Sequence, residues 1–221
     1  MNLEGLTIDR YMLERLLGYG GMGEVYLAQD TTIHRPVAVK VIRYEVSPYS
    51  NAESGKISAD LSQHEMKAIS QLDHPHILPL YDYGEKTVNG TLLAYMVMPY
   101  RKEGSLAQWL QQRPTTTLLS PEDTLFFMLQ AADALQHAHE HGIIHQDVKP
   151  SNFLIRRRSN TPDHPDLFLA DFGIAKFITA TSTTSQHVRG TPTYMAPEQW
   201  QGNPVPATDQ YALAIMTYEL L

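Results

Sequence analysis

Two periodicities divide the chain. From Tyr11 to Leu17 apolar and polar positions alternate just well enough for a β-strand, and Glu24–Ala28 and Val37–Ile42 continue the pattern with β-branched and aromatic residues. Between the first two runs lies Gly18-Tyr19-Gly20-Gly21-Met22-Gly23, a glycine tip whose backbone can lie close over a polyanion and offer it N–H groups. Tyr44 to Lys56 is rich in Ser, Pro, Asn and Gly and reads as a surface connection. From Ser58 the period becomes helical: Leu61, Met66, Ile69 and Leu72 lean to one face with Glu65 among them, and Asp73-His74-Pro75 ends the helix. Ile77–Leu80 and Leu92–Met98 read as two further strands, joined through a turn at Val88-Asn89-Gly90. The pattern predicts a five-stranded antiparallel sheet with one helix, closing near Pro99-Tyr100-Arg101.

The second half is mainly helical. Ser105 to Gln112 is a short helix. Ser120-Pro121-Glu122-Asp123 opens a long one, with Ser as N-cap, Pro in the first turn and acids at the positive end of the helix dipole. Behind it Leu125, Met128, Leu129, Ala132 and Leu135 recur at helical spacing and are expected to face the core, and Gly142 stops the helix. Arg156 to Asp166 is a polar turn, expected as a lengthened hairpin running into a short buried strand at Leu167-Phe168-Leu169. Thr179 to His187 is a polar Ser/Thr run. From Asp209 an apolar helix opens, apolar all round and so expected to be buried on every side.

Composition narrows the function classes. The 221 residues have room for one large domain or two small lobes, and 43% hydrophobic with 19% charged residues fits an ordinary globular chain. A net charge of −7 argues against binding nucleic acid or anionic membrane through the overall field. The absence of cysteine excludes disulfides and thiolate zinc sites. Met1 to Gly5 lacks the regions of a signal peptide, and no uncharged apolar run is long enough to span a bilayer, so a cytoplasmic setting is expected. Four histidines, His137, His139, His141 and His145, invite a metal reading. Helical spacing puts His137 and His141 on one side and His139 on another, with no acid to complete a site, so packing roles are expected instead.

The chemistry concentrates in His145-Gln146-Asp147-Val148-Lys149-Pro150-Ser151-Asn152, a polar segment between the apolar flanks Ile143-Ile144 and Phe153-Leu154-Ile155. Asp147 can accept a proton from a hydroxyl, Lys149 can neutralise a phosphoryl group, and Asn152 offers a carbonyl oxygen to a hard cation such as Mg²⁺. The glycine tip alone also fits a dinucleotide fold, but that fold needs a helix straight afterwards, and here strands follow. Asp171-Phe172-Gly173 and Ala196-Pro197-Glu198 complete an ordered set of motifs. Together these resemble the protein Ser/Thr kinases over about Tyr11 to Leu221, and the wording Gly-Gly-Met-Gly-Glu-Val-Tyr looks most like the bacterial members.

The resemblance implies an α+β, bilobal kinase fold. Residues 1–101 would form the ATP-binding smaller lobe, a five-stranded antiparallel sheet plus one helix. Residues 102–221 would form a mainly helical larger lobe, expected to be incomplete at its C-terminal side, with Glu198 lacking an Arg partner that relatives supply. It also implies roles. Gly18, Gly20, Gly21 and Gly23 would cover the ATP phosphates, and Lys40 would hold them while paired with Glu65. Val25, Ala38 and Leu154 would sandwich the adenine, Met98 would close its pocket, and the Pro99 carbonyl and Arg101 N–H would bond its edge. Asp147 would be the base, Lys149 would neutralise the γ-phosphate beside Thr191, and Asn152 and Asp171 would hold Mg²⁺. His145 would pack behind Phe172, and Asp209 would reach the catalytic-loop backbone. The expected reaction is ATP-dependent phosphorylation of Ser/Thr in protein substrates, with self-association for autophosphorylation and no nucleic-acid partner. The alternative is a nucleotide-binding pseudokinase or inactive fragment acting as a scaffold. One departure stands out: Gln146 occupies a position usually held by Arg, which would weaken dependence on a phosphorylated Thr179–Ser185 run.

Overall fold

The structure, a computed structural model, describes residues 2–20, 23–43, 66–113, 119–158, 161–172 and 190–221. These form two compact units. One contains the described residues up to Ser70 together with Pro79–Tyr100, and the other contains Gln71–Leu78 and the described residues of Arg101–Gly173 and 190–221.

In the first unit β1 (Thr7–Ile8), β2 (Tyr11–Gly20), β3 (Gly23–Asp30), β4 (Arg35–Arg43), β5 (Asp82–Val88) and β6 (Thr91–Pro99) form one antiparallel sheet in the order β1-β2-β3-β4-β6-β5. Four of the five strands expected of this region are present as β2, β3, β4 and β6, and the two-residue edge strand β1 is a further addition. Period-two alternation gives the sheet two different faces. Val37, Val39 and Val41 of β4 turn to one side and pack with Tyr11, Leu13, Tyr26, Leu93, Tyr95 and Val97. On the other side Ile42, Ala94 and Met96 pack with Met66, from the helical residues 66–70.

One strand lies elsewhere than its apolar run promised. Ile77–Leu80 is not a sheet strand: Ile77 makes only an isolated bridge to Leu169, to whose carbonyl the Leu78 N–H donates at 2.9 Å, and Pro79 has no N–H to give. The strand is the more polar β5. It reaches β6 through the two-residue turn Asn89-Gly90, where φ values of +50° and +80° match the twist of a tight hairpin.

The second unit holds α1 (Leu106–Gln111), α2 (Pro121–Glu140), the hairpin β7 (Phe153–Arg158) and β8 (Thr161–Leu169), α3 (Pro197–Trp200) and α4 (Pro206–Leu220). Caps written in the sequence are made: Ser105 and Gln108 bond reciprocally at the start of α1, and Ser120 accepts the Asp123 N–H at 3.0 Å. The hairpin is tighter than expected, since pairing continues from Phe153–Leu169 out to Arg158–Thr161. In α2 the buried face is Thr124, Phe127, Met128, Ala131, Ala134, Leu135 and Ala138, whereas Leu125 and Leu129 are exposed at 58% and 62%. The expected core stripe was therefore rotated by part of a turn. Likewise α4 buries one face (Thr208, Asp209, Ala212, Met216, Leu220) and leaves Tyr218 82% exposed, so burial on every side is not observed. Among the described residues no helix is long and apolar enough to cross a membrane.

Candidate active site

The polar segment after α2 is built around two fully buried groups. Asp209, in the first turn of α4, is 0% exposed and accepts three hydrogen bonds: from the N–H of Gln146 at 2.7 Å, the N–H of His145 at 2.8 Å and His139 Nε2 at 2.8 Å. His145 is also 0% exposed. Its Nδ1 accepts the Asp147 N–H at 3.3 Å, so its proton sits on Nε2 and is donated to the Ala170 carbonyl at 2.9 Å. Burial pushes its pKa below the ordinary histidine value and keeps the ring neutral, and it meets the Phe172 ring edge-on at 4.9 Å. One imidazole thus ties the segment 145–147 to the end of β8, where Asp171 follows with φ at +61°.

Asp147 is 9% exposed and surrounded by donors. Lys149 Nζ lies 2.8 Å from Oδ2 and Asn152 Nδ2 donates to the same oxygen at 3.0 Å. On Oδ1 the Thr191 N–H and hydroxyl both donate at 3.2 Å. Lys149 also donates to Thr191 Oγ1 at 2.7 Å. The Asn152 amide further donates to the Asp147 carbonyl at 2.7 Å, which leaves its own oxygen as the accepting end. A short 3₁₀ turn, Pro150–Asn152, with Pro150 presetting φ, carries Asn152 back toward Asp147. Asp147, Lys149, Asn152 and Thr191 are therefore brought together, and His145 places Ala170, the neighbour of Asp171, beside them. Leu154 stands on β7 opposite Phe168 and bridges to Ser105. The Arg101 guanidinium lies 4.3 Å over the Phe168 ring.

In the first unit the register places Val25 opposite Lys40, Lys40 opposite Met96, and Ala38 opposite Met98. These residues share the face carrying Ile42 and Met96, and Lys40 is 5% exposed there. Pro99, the last residue of β6, has the opposite parity and pairs with Val37. Gly18 and Gly20 lie on the β2 side of the glycine tip. Gly23 opens β3 with φ at +110°, and a Cβ there would sit 2.4 Å from the Val41 carbonyl oxygen, so only glycine fits. Gly21, Glu65, Gly173 and the Thr179–Ser185 run lie outside the described residues.

The other sequence candidates divide. The His137 and His141 rings pack 4.4 Å apart and His137 stacks on His74 at 5.0 Å, while His139 goes to Asp209. Glu198 is not left without a partner, since the Thr208 hydroxyl donates to it at 2.8 Å. Sequence reasoning missed Gln199, buried at 5% exposure, whose Nε2 donates to the Gln146 carbonyl at 2.7 Å. Its only signal was a polar residue following the Ala196-Pro197-Glu198 motif.

An antiparallel sheet unit with a buried lysine, and a helical unit presenting an Asp–Lys–Asn cluster, are the two halves of a protein kinase. The chain belongs to that family: the protein kinase domain matches residues 11–221. Among curated relatives it is similar to the serine/threonine-protein kinases PknB of Mycobacterium leprae (35% identity over 96% of this chain and 32% of that protein) and PrkC of Bacillus subtilis (35%, 96% and 30%). PknF of Mycobacterium tuberculosis is 39% identical over 99% of this chain and 44% of that protein. The chain thus spans about a third to under half the length of these relatives. Among solved structures it resembles the kinase domain of Mycobacterium tuberculosis PknI, with a TM-score of 0.69 at 33% identity, covering 98% of this chain and 76% of that one. ATP and a divalent metal ion are general to the family.

Proposed function

We propose that the chain is the catalytic part of an ATP-dependent protein serine/threonine kinase that uses Mg²⁺ and works in the ATP-containing cytoplasm. The observation that carries this is the state of Asp147. A carboxylate offers about four lone-pair sites, and the four donors from Lys149, Asn152 and Thr191 match that number. One of these donors is an alcohol. A serine or threonine hydroxyl arriving at Oδ1 exchanges with the Thr191 hydroxyl, one O–H donor for another, and its proton then passes to Asp147.

The donor set also suits the expected cofactor. Asn152 turns its oxygen away from Asp147, and Asp171 adds a carboxylate, both hard oxygen ligands of the kind Mg²⁺ takes, whereas the nearby imidazoles of His139 and His145 are already engaged. Asn152 and Asp171 would hold the metal. Gly18, Gly20 and Gly23, with Gly21, would pass over the phosphates. Lys40, paired with Glu65, would bind them. Val25, Ala38, Met98, Pro99, Arg101 and Leu154 would receive the adenine. When bound, ATP with its metal supplies a γ-phosphoryl group whose charge is partly screened. Lys149 neutralises charge on the side of the acceptor hydroxyl, and Asp147 orients that hydroxyl and takes its proton.

Transfer of labelled γ-phosphate to a protein substrate tests this directly. Asp147→Asn and Asp171→Asn should each lower transfer by at least about a hundredfold while leaving the fold intact, the second because a neutral amide holds the metal poorly. Nucleotide binding without transfer in the wild-type chain would instead mark a pseudokinase.

A further inference from the structure

Gln199 is buried in the short helix α3, and the chemistry above gives it no role. Its carboxamide donates to the Gln146 carbonyl at 2.7 Å. Gln146 has φ at +65°, in the left-handed region that side chains avoid, and its N–H is taken by Asp209 at 2.7 Å. The residue immediately before Asp147 is therefore gripped at both backbone groups, its N–H from α4 and its carbonyl from α3. The same carboxamide lies against Gly190, where a Cβ would meet Gln199 Nε2 at 2.7 Å and the Gln146 carbonyl oxygen at 3.4 Å. Gly190 precedes Thr191, which donates twice to Asp147. Through Glu198 and Thr208, α3 is itself tied to the first turn of α4. One side chain thus joins the backbone before Asp147 to the segment that bonds its carboxylate.

We infer that Gln199 is a positioning residue for phosphoryl transfer, setting the Asp147 carboxylate by clamping the Gln146 carbonyl and seating Gly190–Thr191 against the loop. The effect on rate rests on the kinase reading of Asp147. The effect on backbone order does not.

Gln199→Glu keeps the shape but removes the donor, and near pH 8 it sets a carboxylate against a carbonyl. Protonated, the same side chain regains an O–H donor. The titratable groups around it are His145, Asp147 and Lys149 of the loop, Glu198 on its own turn, and His139 and Asp209 from α2 and α4. All are common to variant and wild type, so the ratio of their rates isolates the substituted position. The expected result is kcat lower by about tenfold to a hundredfold near pH 8, with KM for ATP within about twofold of wild type. The ratio should climb back as pH is lowered toward about 6, a recovery that a merely structural role does not produce. Gln199→Leu should show the loss without the recovery. Hydrogen exchange at the Gln146 and Asp147 amides should quicken in both variants. Unchanged kcat in Gln199→Glu, or a loss shared with ATP affinity and indifferent to pH, would overturn the inference. If the wild-type chain transfers no phosphate, the kinase reading fails and the exchange data decide: faster exchange at Gln146 and Asp147 supports the clamp, and unchanged protection removes it.

Discussion

Asp209→Asn removes one charge and a single acceptor, yet the surroundings make it a severe change. The carboxylate is fully buried and all three of its partners are donors. In the better of two orientations the new amide oxygen serves the His145 N–H and His139, and the new NH₂ group faces the Gln146 N–H, donor against donor at about the present 2.7 Å. An orphaned buried donor costs about 1–3 kcal/mol, and loss of the charge weakens the other two bonds, so a total near 3 kcal/mol is expected. For a chain of this length that lowers the melting temperature by roughly 6–12 °C. The assay is thermal and urea unfolding followed by far-UV circular dichroism. Asp133→Asn serves as control: Asp133 pairs with His74 at 3.1 Å but is 64% exposed, so it should cost at most about 1 kcal/mol. If Asp209→Asn proves as mild as the control, the view that α4 anchors the segment 145–147 through this carboxylate is wrong.

Gly23→Ala should destabilise the sheet unit by more than about 2 kcal/mol, because the new methyl meets the Val41 carbonyl at a positive φ, whereas Gly18→Ala, with open space around it, should leave the melting temperature unchanged; equal melts would refute the contrast. Burial, the largest influence on both, holds His74 and His145 below the ordinary histidine pKa, with Asp133 opposing and His137 adding to the effect at His74. The unfolded chain therefore binds protons first, so stability is full above about pH 6.5 and is lost as pH falls below it; the melting temperature should hold above about pH 6.5 and drop as pH is lowered toward about 5.5, less so in His74→Gln, and a flat profile would count against neutral rings. With Gln146 unable to clamp a phosphate as Arg does, replacing Thr181, Ser182, Thr183, Thr184 and Ser185 by Ala should change the transfer rate less than about tenfold, and phosphate-dependent rescue of a larger loss would show the reasoning wrong.

The parts of the site that were legible in the sequence are those whose chemistry is compressed into a few neighbouring residues. His145 to Asn152 is one loop, and its meaning does not depend on where distant elements fall. Caps such as Ser120 followed by Pro121 were legible for the same reason. Face assignment in α2 was not. Leu125 and Leu129 form a stripe as regular as Phe127, Ala131 and Ala134, and the buried Thr124 and Gln130 disguise the true one, because Gln130 accepts the Leu167 N–H at 2.8 Å in the interior. Nor was β5 legible, since Asp82 to Val88 lies at the sheet edge, where alternation is weak, while Ile77 and Leu78 are apolar because they pack beside Leu169. Gln199 escaped for a third reason. A buried carboxamide serving a backbone carbonyl leaves no trace in spacing or composition.

The order of strands in the sheet has a consequence for how its length can change. Every neighbouring pair is consecutive in the chain except β4 and β6. That single non-local ladder closes a loop running from Arg43 round to Leu93, with β5 paired on the far side of β6 as a hairpin. Closure entropy grows only logarithmically, so doubling that loop costs about 0.6 kcal/mol, little beside a typical folding free energy. At Asn89-Gly90 the arithmetic reverses: one added residue shifts the register of β5 and swaps its inward side chains for its outward ones. The same sheet thus holds one ladder whose closure depends only weakly on the chain length between its strands and one hairpin whose pairing depends on every residue of its turn.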